Sequence, residues 1–361
     1  MAITHLLVDG FRNLENDRIS LNSDFNVIVG DNGSGKSSFL EALFFLGHGK
    51  SFRTSNYLRL IKHNHQQFAL NVATNNDKSL GVVKTNNGDT FIKIDGEKRY
   101  RLSELAENIA IQIITPESFK VFFGGPRERR KFIDLGMFHV KHSFSQLWKE
   151  FNTVLKQRNA CLKAKLSTEQ IAYWTESFTQ LSEQITELRS DYIENLSCEL
   201  NVWLNILLPD LNDQVRLHFL RGWTRSKELS EVLSFNQVKE YEKCTSLYGA
   251  HKFDLRFVIN NVAIEQVLSR GQQKLFLLAL TFAQAKLIER VKRVKPIIMI
   301  DDIGAELDTN SRKVLLQACQ MLNCQTIITA IERSILEPIL PKDKNYKMFH
   351  VKHGQISAID E

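Results

Sequence analysis

The sequence predicts an α/β fold with a helical insertion in its middle. A glycine-rich segment, residues 30–37, lies between an apolar run typical of a buried strand and an amphipathic run typical of a helix. Apolar runs at 296–300 and 325–330 indicate further buried strands, separated by a helical pattern. Apolar residues with three- and four-residue spacing continue from about residue 144 to about residue 203 and predict two long helices.

The composition limits the classes of protein that fit. The chain has 361 residues, 43% of them hydrophobic, which allows a large core divided between two lobes. Its formal net charge of +6 is compatible with DNA as a partner but does not by itself argue for it. The five cysteines form no C-x-x-C pair, which favours reduced thiols in a cytoplasmic protein. No apolar stretch is long enough to span a membrane and no signal-peptide pattern opens the chain, so we expect no membrane association.

The first third of the chain predicts two strands, a helix and an antiparallel sheet. The predicted bounds are 3–8 and 25–29 for the strands, 37–46 for the helix and 68–114 for the sheet. Turn-forming residues at Asn86–Asp89 and Asp95–Gly96 predict two hairpins within that sheet. We therefore expect an antiparallel β layer beside a core that begins with strand, glycine loop and helix.

The glycine-rich segment Gly30–Ser37 matches every fixed position of a phosphate-binding loop. Its glycines let backbone N–H groups turn toward phosphates, and the following helix adds the positive end of its dipole. Lys36 would neutralise phosphate oxygens, and the hydroxyl of Ser37 would ligate Mg²⁺. Arg12 is a further candidate for phosphate contact, with a solvated surface arginine as the alternative. The candidate ATP-binding residues are Arg12, Gly30, Asp31, Asn32, Gly33, Ser34, Gly35, Lys36, Ser37 and Ser38.

The apolar run Ile297–Ile300 is followed at once by Asp301 and Asp302. A carboxylate at the end of a buried strand is suited to hold Mg²⁺, usually through water. We expect Asp301 to share Mg²⁺ with Ser37, and Asp302 to orient the attacking water; with Lys36 these aspartates are the catalytic candidates. Aspartate is one methylene shorter than the glutamate that many such ATPases carry, so we expect slow turnover. A solvated acidic loop end is the alternative, mainly for Asp302.

Two segments near the end of the chain predict contacts across a dimer. A Ser-x-Gly-Gln turn that opens a helix typically caps the γ-phosphate held by another subunit, so ATP would hold two copies together. The acidic segment after Asp302 occupies the position of a D-loop. For each segment, the alternative is that its side chains only cap the start of a helix. The residues are Ser269, Arg270, Gly271 and Gln272 in the signature turn, and Glu306 and Asp308 in the D-loop.

The apolar stripe predicts two antiparallel helices packed along a heptad seam. A capping box at Ser167–Gln170 opens the second helix, which at about 35 residues would be about 50 Å long. The predicted domains are an ATP-binding head, residues 1–142 and 246–361, and an inserted helical arm, residues 143–245. A strand at 253–259 is predicted as part of the parallel α/β layer.

The densest basic cluster lies just before the arm, at Arg127, Arg129, Arg130 and Lys131. Such a cluster suits contacts with DNA phosphates. Because Glu128 and Asp134 lie within the same stretch, a salt-bridged helix start is the alternative.

Taken together, these motifs resemble the SMC-like branch of the ABC ATPases, and most closely its bacterial recombination-mediator members. The likeness runs nearly end to end and includes the segments Asp9–Leu14, Gly30–Ser37 with Leu40–Ala42, Gly47–Arg53, Ile114–Phe119, Gly124–Asp134, Leu268–Lys274 and Ile300–Asp308. The resemblance implies an ABC-type ATPase head, with a P-loop NTPase core and an antiparallel β layer, plus a short coiled-coil lobe. The short arm agrees, since chromosome-organising members carry far longer coiled coils.

The resemblance also implies an ATP-dependent DNA clamp that dimerises transiently and hydrolyses ATP weakly, with stimulation by DNA. It would act in recombinational repair and replication-fork restart at gaps or single-strand/double-strand junctions, with RecR and RecO, to help load RecA. Two segments depart from the expected motifs. Gly249–Lys252 occupies the position at which relatives often have a Gly-Pro-His-Arg motif. Thr329–Ile331 occupies the position at which transporter-type ATPases have a switch histidine. The alternatives are a transporter's nucleotide-binding subunit and a non-hydrolysing DNA-binding structural protein.

Overall fold

The computed structural model describes residues 1–211, 213–302, 307–336, 340 and 345–359. The chain divides into two compact units. Unit 1 comprises Met1–Ser118, Trp203–Pro209 and Ser269–Glu361, and unit 2 comprises Phe119–Val202 and Asp210–Leu268. Unit 2 thus includes residues 119–142 and 246–268, which the sequence-based division assigned to the ATP-binding head. The division of roles between head and arm stays a prediction.

The elements alternate between strands and helices in unit 1 and are mainly helical in unit 2. The strands are β1 (Ile3–Asp9), β2 (Asp17–Ser20), β3 (Phe25–Val29), β4 (Gln67–Thr74), β5 (Ser79–Thr85), β6 (Thr90–Ile94), β7 (Glu97–Arg99), β8 (Ile111–Ile114), β9 (Val215–Leu220), β10 (Asp254–Ile259), β11 (Val262–Ala263), β12 (Ile297–Ile300), β13 (Thr326–Ala330), β14 (Lys347–Lys352) and β15 (Gln355–Ile359). The helices are α1 (Lys36–His48), α2 (Leu102–Asn108), α3 (Lys120–Phe123), α4 (Pro126–Val140), α5 (His142–Lys163), α6 (Thr168–Leu207), α7 (Leu229–Phe235), α8 (Gln237–Lys243), α9 (Ile264–Val267), α10 (Arg270–Lys292) and α11 (Thr309–Leu322). No helix in the described ranges is long and apolar enough to cross a membrane.

The central sheet of unit 1 places the ends of its buried strands side by side. Its order is β15-β14-β3-β13-β12-β8, and all neighbours are parallel except β14 and β15. Every residue of β3, β12 and β13 is buried, as expected for parallel strands covered on both faces. Because the strands are parallel, the residues after β3, β12 and β13 emerge at one edge of the sheet. The predicted parallel α/β core is confirmed.

The second sheet of unit 1 is the predicted antiparallel layer, but the predicted range 68–114 was too long, because β8 pairs parallel with β12 in the central sheet. Its order is β2-β1-β4-β5-β6-β7. Both predicted hairpins form, and Asp95 and Gly96 have the positive φ angles, 52° and 82°, that favour a tight two-residue turn. One face joins the core of unit 1 through buried side chains that include Phe68, Leu70, Val72, Leu80, Val82, Ile92 and Ile94.

The strand predicted at 253–259 forms as β10, but its assignment to the parallel sheet was wrong. It pairs antiparallel with β9 and β11 in a three-stranded sheet of unit 2. Five of its six residues are buried, so its continuous apolar run imitates a central parallel strand. The hairpin of β14 and β15 was not predicted, although it extends the central sheet through β3.

The two predicted long helices form as α5 and α6; α6 has 40 residues, and its residues 203–207 belong to unit 1. Its start has both halves of the predicted capping box: the backbone N–H of Ser167 donates to Oε1 of Gln170 at 2.9 Å, and that of Gln170 donates to Oγ of Ser167 at 3.4 Å. In the middle of α6, Arg189 is fully buried and donates to an Asp134 carboxylate oxygen at 3.0 Å. Burial lowers the Arg189 pKa to about 10, which leaves the guanidinium charged at neutral pH.

His251 lies in Gly249–Lys252, the segment of unit 2 that differs from the Gly-Pro-His-Arg motif of relatives. Its ring lies 6.1 Å from the Phe151 ring and 5.9 Å from the Phe178 ring, and its Nε2 lies 3.1 Å from the Ser246 carbonyl oxygen. Burial lowers the pKa of His251 from 6.5 to about 4. The folded state therefore binds fewer protons than the unfolded state between these two pH values.

We expect His251→Gln to reduce the acid sensitivity of the fold. Stability associated with neutral His251 is fully present above pH 6.5 and is lost as pH falls toward about 4. The loss at pH 4 should be about 2–3 kcal/mol smaller in the variant. Urea unfolding at pH 7, 5.5 and 4 measures this difference, with the exposed His218 changed to Gln as the control. Identical pH profiles for wild type and His251→Gln would contradict the prediction.

Candidate nucleotide-binding site

The phosphate-binding loop follows β3 and opens α1, in the strand–loop–helix order that the sequence predicts. A Cβ at Gly30 would lie 2.4 Å from the carbonyl oxygen of Val351, so only glycine allows this close approach. Gly35 has φ 126°, a backbone conformation that L side chains rarely adopt. Tertiary contacts and local geometry therefore require glycine at both positions.

The start of α1 is suited to hold an anion. Gly35 caps the helix without any side-chain hydrogen bond, and the first turn contains no acidic residue. The buried Lys36 donates from Nζ to the carbonyl oxygens of Gly30 at 2.5 Å and Asp31 at 3.0 Å. Burial lowers the pKa of Lys36, and the negative charge of Asp301 opposes that shift. The buried Oγ of Ser34 has no hydrogen-bond partner among the described residues.

The carboxylate of Asp301 connects the phosphate loop to the central sheet. Ser37 donates from Oγ to Oδ2 of Asp301 at 3.0 Å, and the fully buried Thr329 donates from Oγ1 to Oδ1 at 2.7 Å. Both carboxylate oxygens are thus oriented by hydroxyl groups. A hydroxyl beside a carboxylate supplies the oxygen atoms that Mg²⁺ prefers, so Ser37 and Asp301 would hold the ion.

Asp302 has an unusual backbone conformation that its neighbours hold in place. Its φ is 52°, in the left-handed region that non-glycine residues seldom occupy. Its backbone N–H donates to Oγ1 of Thr329 at 2.9 Å, and its carbonyl oxygen accepts from Nζ of Lys274 at 3.2 Å. Thr329 therefore positions both aspartates, a role that sequence reasoning missed.

Arg12 lines the same cavity as the phosphate loop, and a buried carboxylate of α1 fixes its orientation; its contact with phosphate stays a prediction. Its guanidinium donates two hydrogen bonds of 2.7 Å to the fully buried Glu41. Arg53 lies 4.0 Å from the same carboxylate. Asn13 accepts a 2.7 Å hydrogen bond from the hydroxyl of Ser38. The segments that resemble the family include Asn13, Glu41 and Arg53. No local sequence pattern indicates the roles of these three residues.

These groups surround one cavity of about 450 Å³. Its lining residues are Arg12, Asn13, Asn32, Gly33, Gly35, Lys36, Ser37, Ser38, Arg53, Pro116, Asp301 and Asp302. A larger cavity of 640 Å³ lies among the helices of unit 2, but no residue of the phosphate loop lines it. The smaller cavity is the candidate nucleotide site because the cationic, amide and carboxylate groups meet there; binding of ATP by these residues stays a prediction.

The signature turn and the D-loop segment are both helix starts. Ser269 caps α10: its Oγ accepts from the Gln272 backbone N–H at 3.3 Å, and the Gln272 side chain accepts from the Ser269 backbone N–H at 3.0 Å. Ser269 and Arg270 are exposed. Asp308 caps α11 by accepting from the backbone N–H of Ser311 at 2.7 Å. Glu306 lies outside the described residues. Contacts of either segment with a second subunit stay a prediction.

The predicted DNA-contacting cluster lies at the start of α4, where half of it is used internally. Arg129 donates to both carboxylate oxygens of Asp254, at 2.8 and 3.0 Å, and Arg130 donates to the backbone carbonyl oxygen of Phe253 at 2.8 Å. Lys131 is exposed and pairs with a glutamate one turn earlier in α4 at 2.8 Å. Arg127 is exposed. DNA contact by these four residues stays a prediction.

The fold and this cavity define a class of protein. A phosphate loop between a parallel strand and a helix, with an aspartate after a nearby parallel strand, is the core of a P-loop NTPase. The antiparallel β layer, the long helical insertion and the Ser-x-Gly-Gln turn make it an ABC-type ATPase head.

Comparison with known proteins identifies the family within that class. The family model for the RecF/RecN/SMC N terminal domain matches residues 2–357. The DNA replication and repair protein RecF of Colwellia psychrerythraea is 55% identical over 100% of this chain and 98% of that protein. RecF of Pseudoalteromonas translucida is 40% identical over 99% of each chain. The chain therefore belongs to the RecF family.

Solved structures show the same fold. The recombination mediator protein RecF with ATP, in the RecFOR pathway, has a TM-score of 0.87 at 24% identity and covers 99% of this chain and 98% of its own. An Smc head bound to the C-winged helix domain of ScpA has a TM-score of 0.60 at 18% identity, covering 99% of this chain and 97% of its own. At these identities the likeness concerns the fold alone.

We expect Thr329→Val to weaken the magnesium-dependent binding of ATP. The change keeps the side-chain shape but removes the hydroxyl that orients Asp301 and accepts from the Asp302 backbone. Loss of a group that orients a metal ligand typically costs about 10–100-fold in metal affinity. A Mg²⁺ titration of fluorescent ATP-analogue binding measures the shift.

Thr326→Val is the matched control for that experiment. Thr326 is equally buried on the same strand, but its hydroxyl donates to the carbonyl oxygen of Cys324 at 3.2 Å and does not contact the site. Equal Mg²⁺ dependence in the two variants would show that Thr329 does not position the aspartate.

Proposed function

We propose that the protein is an ATP-driven DNA clamp that dimerises and acts in recombinational DNA repair and replication-fork restart. The observation that carries the proposal is the single cavity that Lys36, the phosphate-loop amides and the Ser37–Asp301 pair share. Their combination of positive charge, backbone donors and metal-binding oxygens suits Mg²⁺ and a nucleoside triphosphate. The family's named members are DNA replication and repair proteins, which supports DNA as the target.

Ser37 and Asp301 are the proposed ligands of Mg²⁺, directly or through water. When bound, Mg²⁺ neutralises charge on the phosphates. Lys36 would contact phosphate oxygens after exchanging its hydrogen bonds with the loop carbonyls. Asp302 is proposed to orient the attacking water, since it lines the cavity and its backbone is held on both sides. Its short side chain supports weak hydrolysis, which we expect DNA to stimulate.

The exposed start of α10 supports ATP-induced dimerisation. Ser269 presents its hydroxyl at the positive end of a helix of 23 residues whose first turn contains no acidic residue. Such a helix end favours an anion, and we propose that the anion is the γ-phosphate held by a second copy. Gln272 would fix the orientation of Ser269 through the two capping hydrogen bonds.

The proposed DNA substrates are double-stranded DNA and its junctions with single strands at gaps. RecR and RecO are the proposed protein partners, in a reaction that helps load RecA in the cytoplasm. These finer proposals rest on membership of the RecF family, one of whose solved members is described as a recombination mediator of the RecFOR pathway. The alternative of a transporter subunit receives no support from this family.

We expect Ser269→Arg to abolish ATP-induced dimers without weakening ATP binding. A larger cation at the start of α10 would block approach of the partner's nucleotide, while the cavity that binds ATP within each chain is lined by other residues. Light scattering measures the dimer, and a fluorescent ATP analogue measures binding. Ser230→Arg, an exposed serine in unit 2, is the control. Normal ATP-induced dimerisation of Ser269→Arg would contradict the proposed dimer interface.

We expect ATP and Mg²⁺ to switch on binding to a gapped duplex, and Lys36→Met to remove that switch. Lys36 contributes the buried positive charge of the phosphate loop. Fluorescence anisotropy at one stated salt concentration measures binding with and without ATP. The exposed Lys163, changed to Met, is the control. If DNA affinity is the same with and without ATP, and the same in Lys36→Met as in wild type, the result would instead indicate a non-hydrolysing DNA-binding protein.

A further inference from the structure

Two lysines face each other on the exposed hairpin of β6 and β7. Lys93 and Lys98 are direct cross-strand partners, and both side chains are exposed. Like charges directly opposite each other in an antiparallel pair are destabilising. Within the described ranges neither lysine forms an ion pair, because the neighbouring Glu97 pairs with Arg99 at 2.7 Å. An anion bound between the two lysines would relieve their repulsion.

Two exposed aromatic rings lie beside this pair. Phe91 is 61% exposed and Tyr100 is 90% exposed. Side chains alternate between the faces of a strand, so Phe91 lies on the face of Lys93, and Tyr100, directly after β7, continues the face of Lys98. The register that pairs Lys93 with Lys98 places Phe91 and Tyr100 at the next opposed positions. We call these four residues the aromatic platform.

The sheet face that continues from the aromatic platform carries small side chains. Lys93 lies opposite Gly81, and Gly81 lies opposite Asn71. In the adjacent row, Phe91 lies opposite Val83, which lies opposite Ala69. A face with so few bulky groups leaves room for an extended chain across the strands.

Asp95, Glu97 and Glu104 near this hairpin are engaged with other groups, whereas Asp89, two residues before Phe91, is exposed. Asp95 accepts a 2.8 Å hydrogen bond from the backbone N–H of Ser79, and Glu104 lies 3.8 Å from Arg99. Arg101, which follows Tyr100, is exposed and adds a further positive charge. The aromatic platform therefore combines two exposed rings with two exposed lysines.

We propose that the aromatic platform binds single-stranded DNA, with bases stacked on Phe91 and Tyr100 and phosphates beside Lys93 and Lys98. Stacked rings within a basic surface are the general means of holding single strands, because every base has a ring face to offer. A duplex hides those faces in its own stack and offers mainly phosphates. The inference rests on the proposed function, since it assigns the single-stranded part of a gap to this surface.

The test compares a fluorescent single-stranded oligonucleotide with a blunt duplex, using the full chain with ATP and Mg²⁺ at one salt concentration. Tyr100→Ala should weaken single-strand binding about 5- to 100-fold, the range for loss of one base–aromatic stack, while duplex binding stays unchanged. Phe91→Ala should act in the same direction, and Tyr100→Phe should retain wild-type affinity because it keeps the ring. Tyr173→Ala is the matched control, since Tyr173 is 68% exposed in unit 2.

The lysines are tested through the salt dependence of single-strand binding. Changing Lys93 and Lys98 together to Gln should reduce the slope of log affinity against log salt by about 1.4, since each phosphate contact on a single strand contributes about 0.7. The exposed pair Lys163 and Lys239, both changed to Gln, should leave the slope unchanged.

Each outcome decides between the two proposals. If Tyr100→Ala and Phe91→Ala bind single strands as tightly as wild type does, the proposal for the aromatic platform is overturned. The proposed function still stands in that case, provided that wild type binds the gapped duplex only with ATP. An equal loss on duplex and single strand shows a general phosphate contact and overturns the single-strand assignment. Failure of wild type to bind any of these DNAs with ATP overturns the proposed function, and the aromatic platform with it.

Discussion

The carboxylate of Asp301 is the point on which the nucleotide site depends. It joins Ser37, 264 residues away, and Thr329, 28 residues away, within hydrogen-bonding distance. This is possible because β3, β12 and β13 run parallel and end at one edge of the central sheet. A carboxylate that accepts two hydroxyl hydrogen bonds has little freedom to rotate, so the phosphate loop and its acidic partner are held in register before any nucleotide binds.

Positive charge is used differently in the two units. In unit 2, Arg129 and Arg189 are bound to carboxylates within the fold, so they contribute to its stability more than to its surface. In unit 1, Lys36 is buried beside the phosphate loop, whereas Lys93 and Lys98 are exposed. A basic run in the sequence therefore does not locate a DNA surface, because adjacent cations can point to different environments.

Much of the fold could be predicted because its signals are local. The phosphate loop, both hairpin turns of the antiparallel layer and the capping box of α6 depend on residues close together in the chain. The assignment of β10 failed for a specific reason: a strand buried on both faces has the same apolar pattern in a parallel or an antiparallel sheet. The roles of Arg129 and Arg130 were ambiguous because their partners, the Asp254 carboxylate and the Phe253 carbonyl oxygen, are remote in sequence.

The sequence by itself determined which motifs the chain carries: a phosphate loop, an acidic strand end and a Ser-x-Gly-Gln turn that opens a helix. These follow from residue type and spacing over a few positions, where backbone geometry leaves few alternatives. Only the tertiary structure decided that Thr329 orients Asp301, that Glu41 holds Arg12, and that two lysines and two rings share one exposed face. Those relationships depend on strand register and packing between distant segments, which no short window of sequence specifies.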